Sequence, residues 1–376
     1  MNGSFSDIEA LLLLSRTPGI RMRGLQPFFE PTGTGTEGTC LLKEPGEILE
    51  WIESGANPSW KASLKATRKI FDPARELEKA EGLGIELLPF GDPKYPFLLK
   101  ETSDPPLVLY VRGNLLESDQ AAVALVGSRH PGLYGLEQAK RFGEKLAAWG
   151  LTIVSGFARG IDRQVHEAAL SVRYGRTIAV LGSGLDIVYP REHQALYEEM
   201  AERGALISEF ALGTPPLAEN FPKRNRIIAG LSLGVLVIEA HSRSGSLITA
   251  HLAAEEGREV FALPGRVDQL GSRGTHLLLK EGAQLVESPE EIFDTLSSQL
   301  WPLVSLPSPD GSFDEEEKDF LRLFAASPLA VEEVARQADH PVSLTVGLLT
   351  RLELKRALRK RPDGRYERVG NPREKV

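Results

Sequence analysis

Four stretches of this 376-residue chain place a cation beside glycine or a small hydroxyl residue where a short apolar run ends. They are GSRHPGLYG from residue 127, SGFARGID from 155, NFPKRNRIIAG from 220 and SRSGSLITA from 242. The chemistry these residue types suit is phosphate binding. Gly127 lets backbone approach a ligand, Ser128 offers a hydroxyl, and Arg129 offers a planar fork that matches phosphate oxygens. Ser155, Gly156 and Arg159 surround the expected start of a helix, whose free N–H groups attract anions. Arg243, Ser244, Gly245 and Ser246 repeat that arrangement. Phe221, Lys223, Arg224, Asn225 and Arg226 enter another helix after a long proline-rich loop. Cations there are electrostatically misplaced, because that end of a helix is already partly positive; an anionic ligand would offset the repulsion. Each stretch alone also fits a capped strand-to-helix turn. Together, at one edge of one sheet, they imply a shared phosphate groove.

Other chemistries find little support. There is no GxxxxGK[ST] loop for nucleotide triphosphate hydrolysis. No HExxH or paired histidines suggest a metal: His166, His193, His241, His251 and His276 are scattered and fit core or surface roles. No cofactor is implied. Glu209 and Glu239 are the well-placed carboxylates, and neither has an evident partner in the sequence. In GSGLDIVYP, from residue 182, the GSG signal is weak and Tyr189 fits packing better than stacking. The lone Cys40 excludes an internal disulfide framework and suits a reducing compartment.

The elements that must position these loops fall into three regions. Residues 83–298 alternate short, continuously apolar strands with amphipathic helices. That pattern predicts an α/β class, Rossmann-like, doubly wound and mostly parallel sheet, with ligands outside the carboxyl ends of its strands. Residues 1–82 read as a helical unit, opened by a Ser6–Glu9 capping box. The proline-rich stretch 299–312 reads as a linker. Residues 313–376 read as three helices, the third over 343–354, and a hairpin about PDG: a winged helix. Its tail clusters Lys355, Arg356, Arg359, Lys360 and Arg361. The helix expected to read DNA is poor in cations, so contact with duplex DNA and contact with protein both stay open. The composition is that of a globular protein, 41% hydrophobic and 26% charged, with a formal net charge of −8. Net negative charge does not exclude a local basic groove. IEALLLLS is too short to span a bilayer, so a cytoplasmic location without membrane contact is expected.

The ordered segments VGSRHPGLYG, SGFARGID, GSGLDIVYP, NFPKRNRIIAG, SRSGSLITA and GTHLLLKEGA, preceded by FGDPKYPFLLKETSDPPLVLYVRGN, resemble those of the DprA/Smf family of bacterial DNA-processing proteins. The resemblance covers about residues 83–290. It implies a SAM-like N-terminal domain, a C-terminal winged-helix extension and a non-enzymatic role. Single-stranded DNA would bind on the Rossmann-like domain, be protected during natural transformation and be loaded with RecA by a homodimer. By the same resemblance Arg129 matches a DNA-contacting arginine. Phe221, Lys223, Arg224 and Arg226 fall in a phosphate- and base-contacting loop, and Arg243 holds a basic position before SGS. His276, Leu278 and Leu285 fall in the segment matching the dimer interface. Two alternatives remain. A nucleotide-processing enzyme of the related phosphoribohydrolase type would carry PGGxGTxxE, where this chain has SRSGSLITA. A transcriptional regulator would work through the winged helix.

Overall fold

The apolar runs assemble into a nine-stranded sheet because strands that are hydrophobic on both faces need cover on both. The structure is a computed structural model that describes residues 6–25, 28–31, 40–42, 44–300 and, with interruptions, 315–368. They fall into two units, Met1–Val304 and Ser305–Val376.

In the first unit, helices α1 (Asp7–Arg16) and α2 (Met22–Leu25) precede a small antiparallel pair, β1 (Phe29–Pro31) and β2 (Cys40–Leu42). Helices α3 (Pro45–Glu53), α4 (Pro58–Ile70) and α5 (Pro73–Gly82) follow, each with proline in its first turn. The capping box forms: Ser6 N–H and Oγ–H both donate to Glu9 Oε2 at 2.8 Å.

The large sheet runs in the order β11-β10-β9-β5-β6-β7-β8-β4-β3. Its strands are β3 (Glu86–Pro89), β4 (Val108–Gly113), β5 (Ala122–Val126), β6 (Thr152–Ser155), β7 (Arg176–Val180), β8 (Ala205–Ser208), β9 (Gly234–Val237), β10 (Glu259–Ala262) and β11 (Gln284–Leu285). From β5 to β11 all neighbours are parallel; β4 pairs antiparallel with β8 and with β3. Helices α6 (Phe97–Lys100), α7 (Leu133–Ala148), α8 (Ile161–Ser171), α9 (Gln194–Arg203), α10 (Asn220–Gly230), α11 (Gly245–Glu255), α12 (Arg273–Lys280) and α13 (Pro289–Leu300) make the connections. Chain order proceeds outward from β5 through β6, β7 and β8, then restarts on the other side of β5 with β9. The switch point therefore lies between β5 and β9, and the crevice outside their carboxyl ends is the place for a ligand.

The boundary read at residue 82 does not separate one core from another. Ala10, Leu12, Leu25, Ile48 and Leu64 belong to one apolar cluster with Val108, Ala124 and Ile207. Buried Glu76 on α5 ties them further: Oε1 accepts from Tyr110 Oη–H at 2.9 Å and from Leu212 N–H at 2.7 Å.

The second unit holds α14 (Glu315–Leu323), α15 (Val331–Gln337) and an antiparallel hairpin of β12 (Leu358–Lys360) and β13 (Tyr366–Arg368). Phe320, Val334, Leu349 and Tyr366 are among its buried core. The expected third helix falls partly outside the described residues, as do Lys355, Arg356 and the linker from residue 301 onward. On the hairpin, Arg359 and Arg361 both pair with Glu367, so it is less basic than its sequence suggested.

Candidate nucleic-acid interface

At the switch point lies an open cleft of ≈ 620 Å³. The loop after β5 contributes Ser128 and Arg129, the loop after β9 contributes Arg243 and Ser244, and α10 contributes Phe221. Its centre is a ring and a fork: the Arg129 guanidinium stands 5.0 Å from the Phe221 ring centroid. Tyr189 leans on the same ring at 6.1 Å and stays exposed, so it packs and also faces the cleft. Arg129 and Arg243 are exposed. Among the described residues neither has a carboxylate within ion-pair distance. Two uncompensated forks beside a stacking ring can hold phosphates and a base face.

The cations of NFPKRNRIIAG do not form one wall, which corrects the expectation. Arg224 is only 4% exposed. Its Nη1 donates to Gly156 O at 2.6 Å and to Val180 O, and its Nε donates to Asn225 Oδ1 at 3.2 Å. The reason lies in the sheet: carbonyls at the carboxyl ends of β6 and β7 run out of ladder partners and must be satisfied. Burial pushes the guanidinium down to about 10, and Asp162 across Gly156 opposes that shift. Asp162, in the first turn of α8, is itself buried and accepts from Ala158 N–H at 3.2 Å. Its carboxyl is raised by burial against the pull of Arg224.

Lys223 and Arg226 turn to a second hollow of ≈ 380 Å³, facing Arg16, Arg21 and Asp104. Arg226 pairs with Glu209 and donates to Asp104 O. Exposed Lys223 lies 3.5 Å from Glu219. Helical spacing alone carries this sorting: residues 223 and 226 are three apart and share a face, while 224 is a hundred degrees round.

Other expected contacts are scaffold. Ser155 is fully buried and donates to Leu125 O at 2.7 Å. Gly156 is buried beneath Arg224. Asn225 Nδ2 donates to Gly245 O at 3.2 Å, fixing the start of α11 to α10. Ser244 caps α11 by accepting from Ser246 N–H at 3.3 Å, and Ser246 is buried. Arg159 pairs with Glu192 at 2.5 Å and lines a small adjoining cavity rather than the cleft. Gly127 and Ser128 do line the cleft; Ser128 N–H donates to Glu239 O at 2.7 Å. Leu278 is 3% exposed, packed within its own unit, and so is no surface contact. Leu285 is exposed on the edge strand β11, and His276 Nε2 sits 3.0 Å from Gly265 O. Neither Glu209 nor Glu239 is free: the first pairs with Arg226, and the second accepts from Gly132 N–H.

Phe157, at φ 60°, carries the chain from β6 into α8 and packs on His166 and His193. Fully buried His166 places Nδ1 2.6 Å from Thr177 Oγ1. That hydroxyl donates to Ile153 O at 2.7 Å, so Nδ1 carries the imidazole proton. Burial, then His193, holds His166 down to about 3. Below pH 6.5 the unfolded chain therefore takes up a proton that the folded chain refuses. Stability is expected to fall as pH drops from 6.5 toward 3, by about 1.4 kcal/mol per unit. Melting across pH 7 to 5 checks this, and His166→Gln should flatten the profile by about one proton.

Among the described residues, no three or more His, Cys, Asp or Glu side chains are grouped to hold a metal ion, and no helix is long and apolar enough to cross a membrane.

Comparison with known proteins gives consistent matches. A family model described as DNA recombination-mediator protein A matches residues 86–297. The chain is 45% identical over 303 residues to Protein Smf of Escherichia coli K12, covering 77% of this chain and 80% of that protein. It is 41% identical over 238 residues to the DNA processing protein DprA of Bacillus subtilis, covering 62% and 80%. Among solved structures it resembles DprA from Streptococcus pneumoniae, at 39% identity and TM-score 0.58 over 66% of this chain and 92% of that one. It also resembles DNA processing protein A from Helicobacter pylori, described for its single-stranded DNA binding mode, at 31% identity and TM-score 0.52 over 57% and 96%.

Proposed function

As this chain belongs to the DNA recombination-mediator protein A family, we propose that its switch-point cleft binds single-stranded DNA. The observation that carries the reading is the Arg129 guanidinium over Phe221 in an open cleft, with Arg243 uncompensated nearby. Phosphates engage the two forks and bases lie on the ring. The site has few base-edge readers, so binding is sequence-tolerant and salt-sensitive. Protection of the strand during transformation, and its delivery to RecA, belong to the same proposal. So does a homodimer through the end of the Rossmann-like domain, where Leu285 is exposed on β11. The reading assigns no reaction. The carboxylates an enzyme would need, Glu209 and Glu239, are both engaged within the fold.

The test compares full-length protein on single-stranded and duplex oligonucleotides across a salt series. Single strands are expected to bind more tightly. Arg243→Ala should weaken binding and flatten the log–log salt slope by about 0.7, the share of one phosphate. Equal affinity for the two DNA forms would move the function to the winged unit.

A further inference from the structure

In an open parallel sheet of this topology, a ligand phosphate is ordinarily seated at the switch point, against the N-terminus of the helix after the first strand. Here that helix is α7, 16 residues long with Gly132 at its N-cap, and the seat is taken from within. Both carboxylate oxygens of Glu239, two residues beyond β9, accept from Gly132 N–H at 3.1 Å each. The surrounding walls are glycines. A Cβ at Gly135 would collide with Glu239 Oε2, and one at Gly271 would stand 2.6 Å from Oε1. Main-chain bonds fasten the same point: Ser128 N–H to Glu239 O at 2.7 Å, and Ala240 N–H to Gly271 O at 2.8 Å. Glu239 thus joins the start of α7 through its carboxylate, while the main chain of residues 239 and 240 ties in the loop after β5 and the segment before α12.

We propose that Glu239 is a specificity-determining residue. Its carboxylate is a resident anion in the seat that the phosphate of a free nucleotide would need. The same contact positions the 127–132 loop so that Arg129 stands over Phe221. Small nucleotides are shut out of the α7 terminus, and the arginine forks remain outside it for a strand lying across the cleft. The positioning half rests on the function proposed above; the exclusion half does not.

Full-length Glu239→Ala, titrated with inorganic pyrophosphate by calorimetry, tests the exclusion. It is expected to bind at least about tenfold more tightly than the unaltered chain, since the helix terminus regains an open anion seat. A folded Glu239→Ala that binds pyrophosphate no better overturns the proposal. Glu239→Gln, equal in size but uncharged, tests the positioning, and titrated with pyrophosphate it tests the exclusion if the alanine variant does not fold. Its single-strand affinity should fall about fivefold in the unaltered background and not at all in an Arg129→Ala background, as expected for a residue acting through its neighbour. Equal losses in both backgrounds, or none in either, would overturn the positioning role. If the unaltered chain itself fails to bind single strands, the proposed function falls, while the pyrophosphate result still decides the exclusion.

Discussion

Replacing Arg224 with methionine is expected to destabilise the first unit by about 3–5 kcal/mol, the usual consequence of removing one partner from a buried charged network. Two carbonyls, of Gly156 and Val180, would lose their donor, and Asp162 would lose the cation that opposes its desolvation. Burying such groups unpaired is what makes the change large; the lost hydrogen bonds themselves are worth less. Arg224→Lys should fall between, since a single ammonium cannot reproduce the fork. Urea denaturation of the full chain reads the effect. An unchanged midpoint for Arg224→Met would return Arg224 to the free groove cations. Binding by these variants has to be measured where they remain folded, because loss of DNA would otherwise report only loss of structure.

Phe221→Ala is expected to produce the largest binding defect that leaves the fold standing. A base stacked on an aromatic ring is worth about 1–3 kcal/mol, or roughly 5- to 150-fold in Kd. The truncation also removes the surface on which the Arg129 guanidinium rests, so the phosphate contact loosens with the base contact. Phe221 is only partly buried at the start of α10, and its loss opens no deep cavity. Phe221→Trp should retain most of the affinity. Fluorescence anisotropy with a labelled homopolymer measures both variants. Wild-type affinity for Phe221→Ala would show that the strand does not cross this ring.

The parallel core was legible in the sequence because buried strands read as continuous apolar runs, as AVALV, TIVS and GVLV do. The two antiparallel strands were not legible. ELLP is short and ends in proline, and VLYVRG follows only the four-residue α6 and a proline pair, outside the regular strand–helix alternation that marks the parallel strands. Its pairing with β8 is a tertiary fact. The cleft was legible as a set of loops and much less so as a set of contacts. Residue types cannot tell a cation that meets solvent from one that meets stranded carbonyls. Arg129 and Arg224 look alike in sequence, and the sheet ends beneath Arg224 decide the difference. Glu239 was visible as a carboxylate without a partner; the partner is a backbone N–H, which composition never displays.

The strand order has a bearing on how the protein is made. Val123 of β5 pairs with Gly234 of β9, about 110 residues later in the chain. At roughly 5–20 residues per second, β5, β6 and β7 leave the ribosome several seconds before the strand that completes the crevice. Arg129 is exposed early, but Phe221 and Arg243 follow about 90 and 110 residues later. A nascent chain, held against ribosomal RNA, therefore carries scattered cations and no assembled groove. On the proposed function, the groove is complete only once the chain has been made as far as residue 243, with β10 and β11 of the first unit still to come.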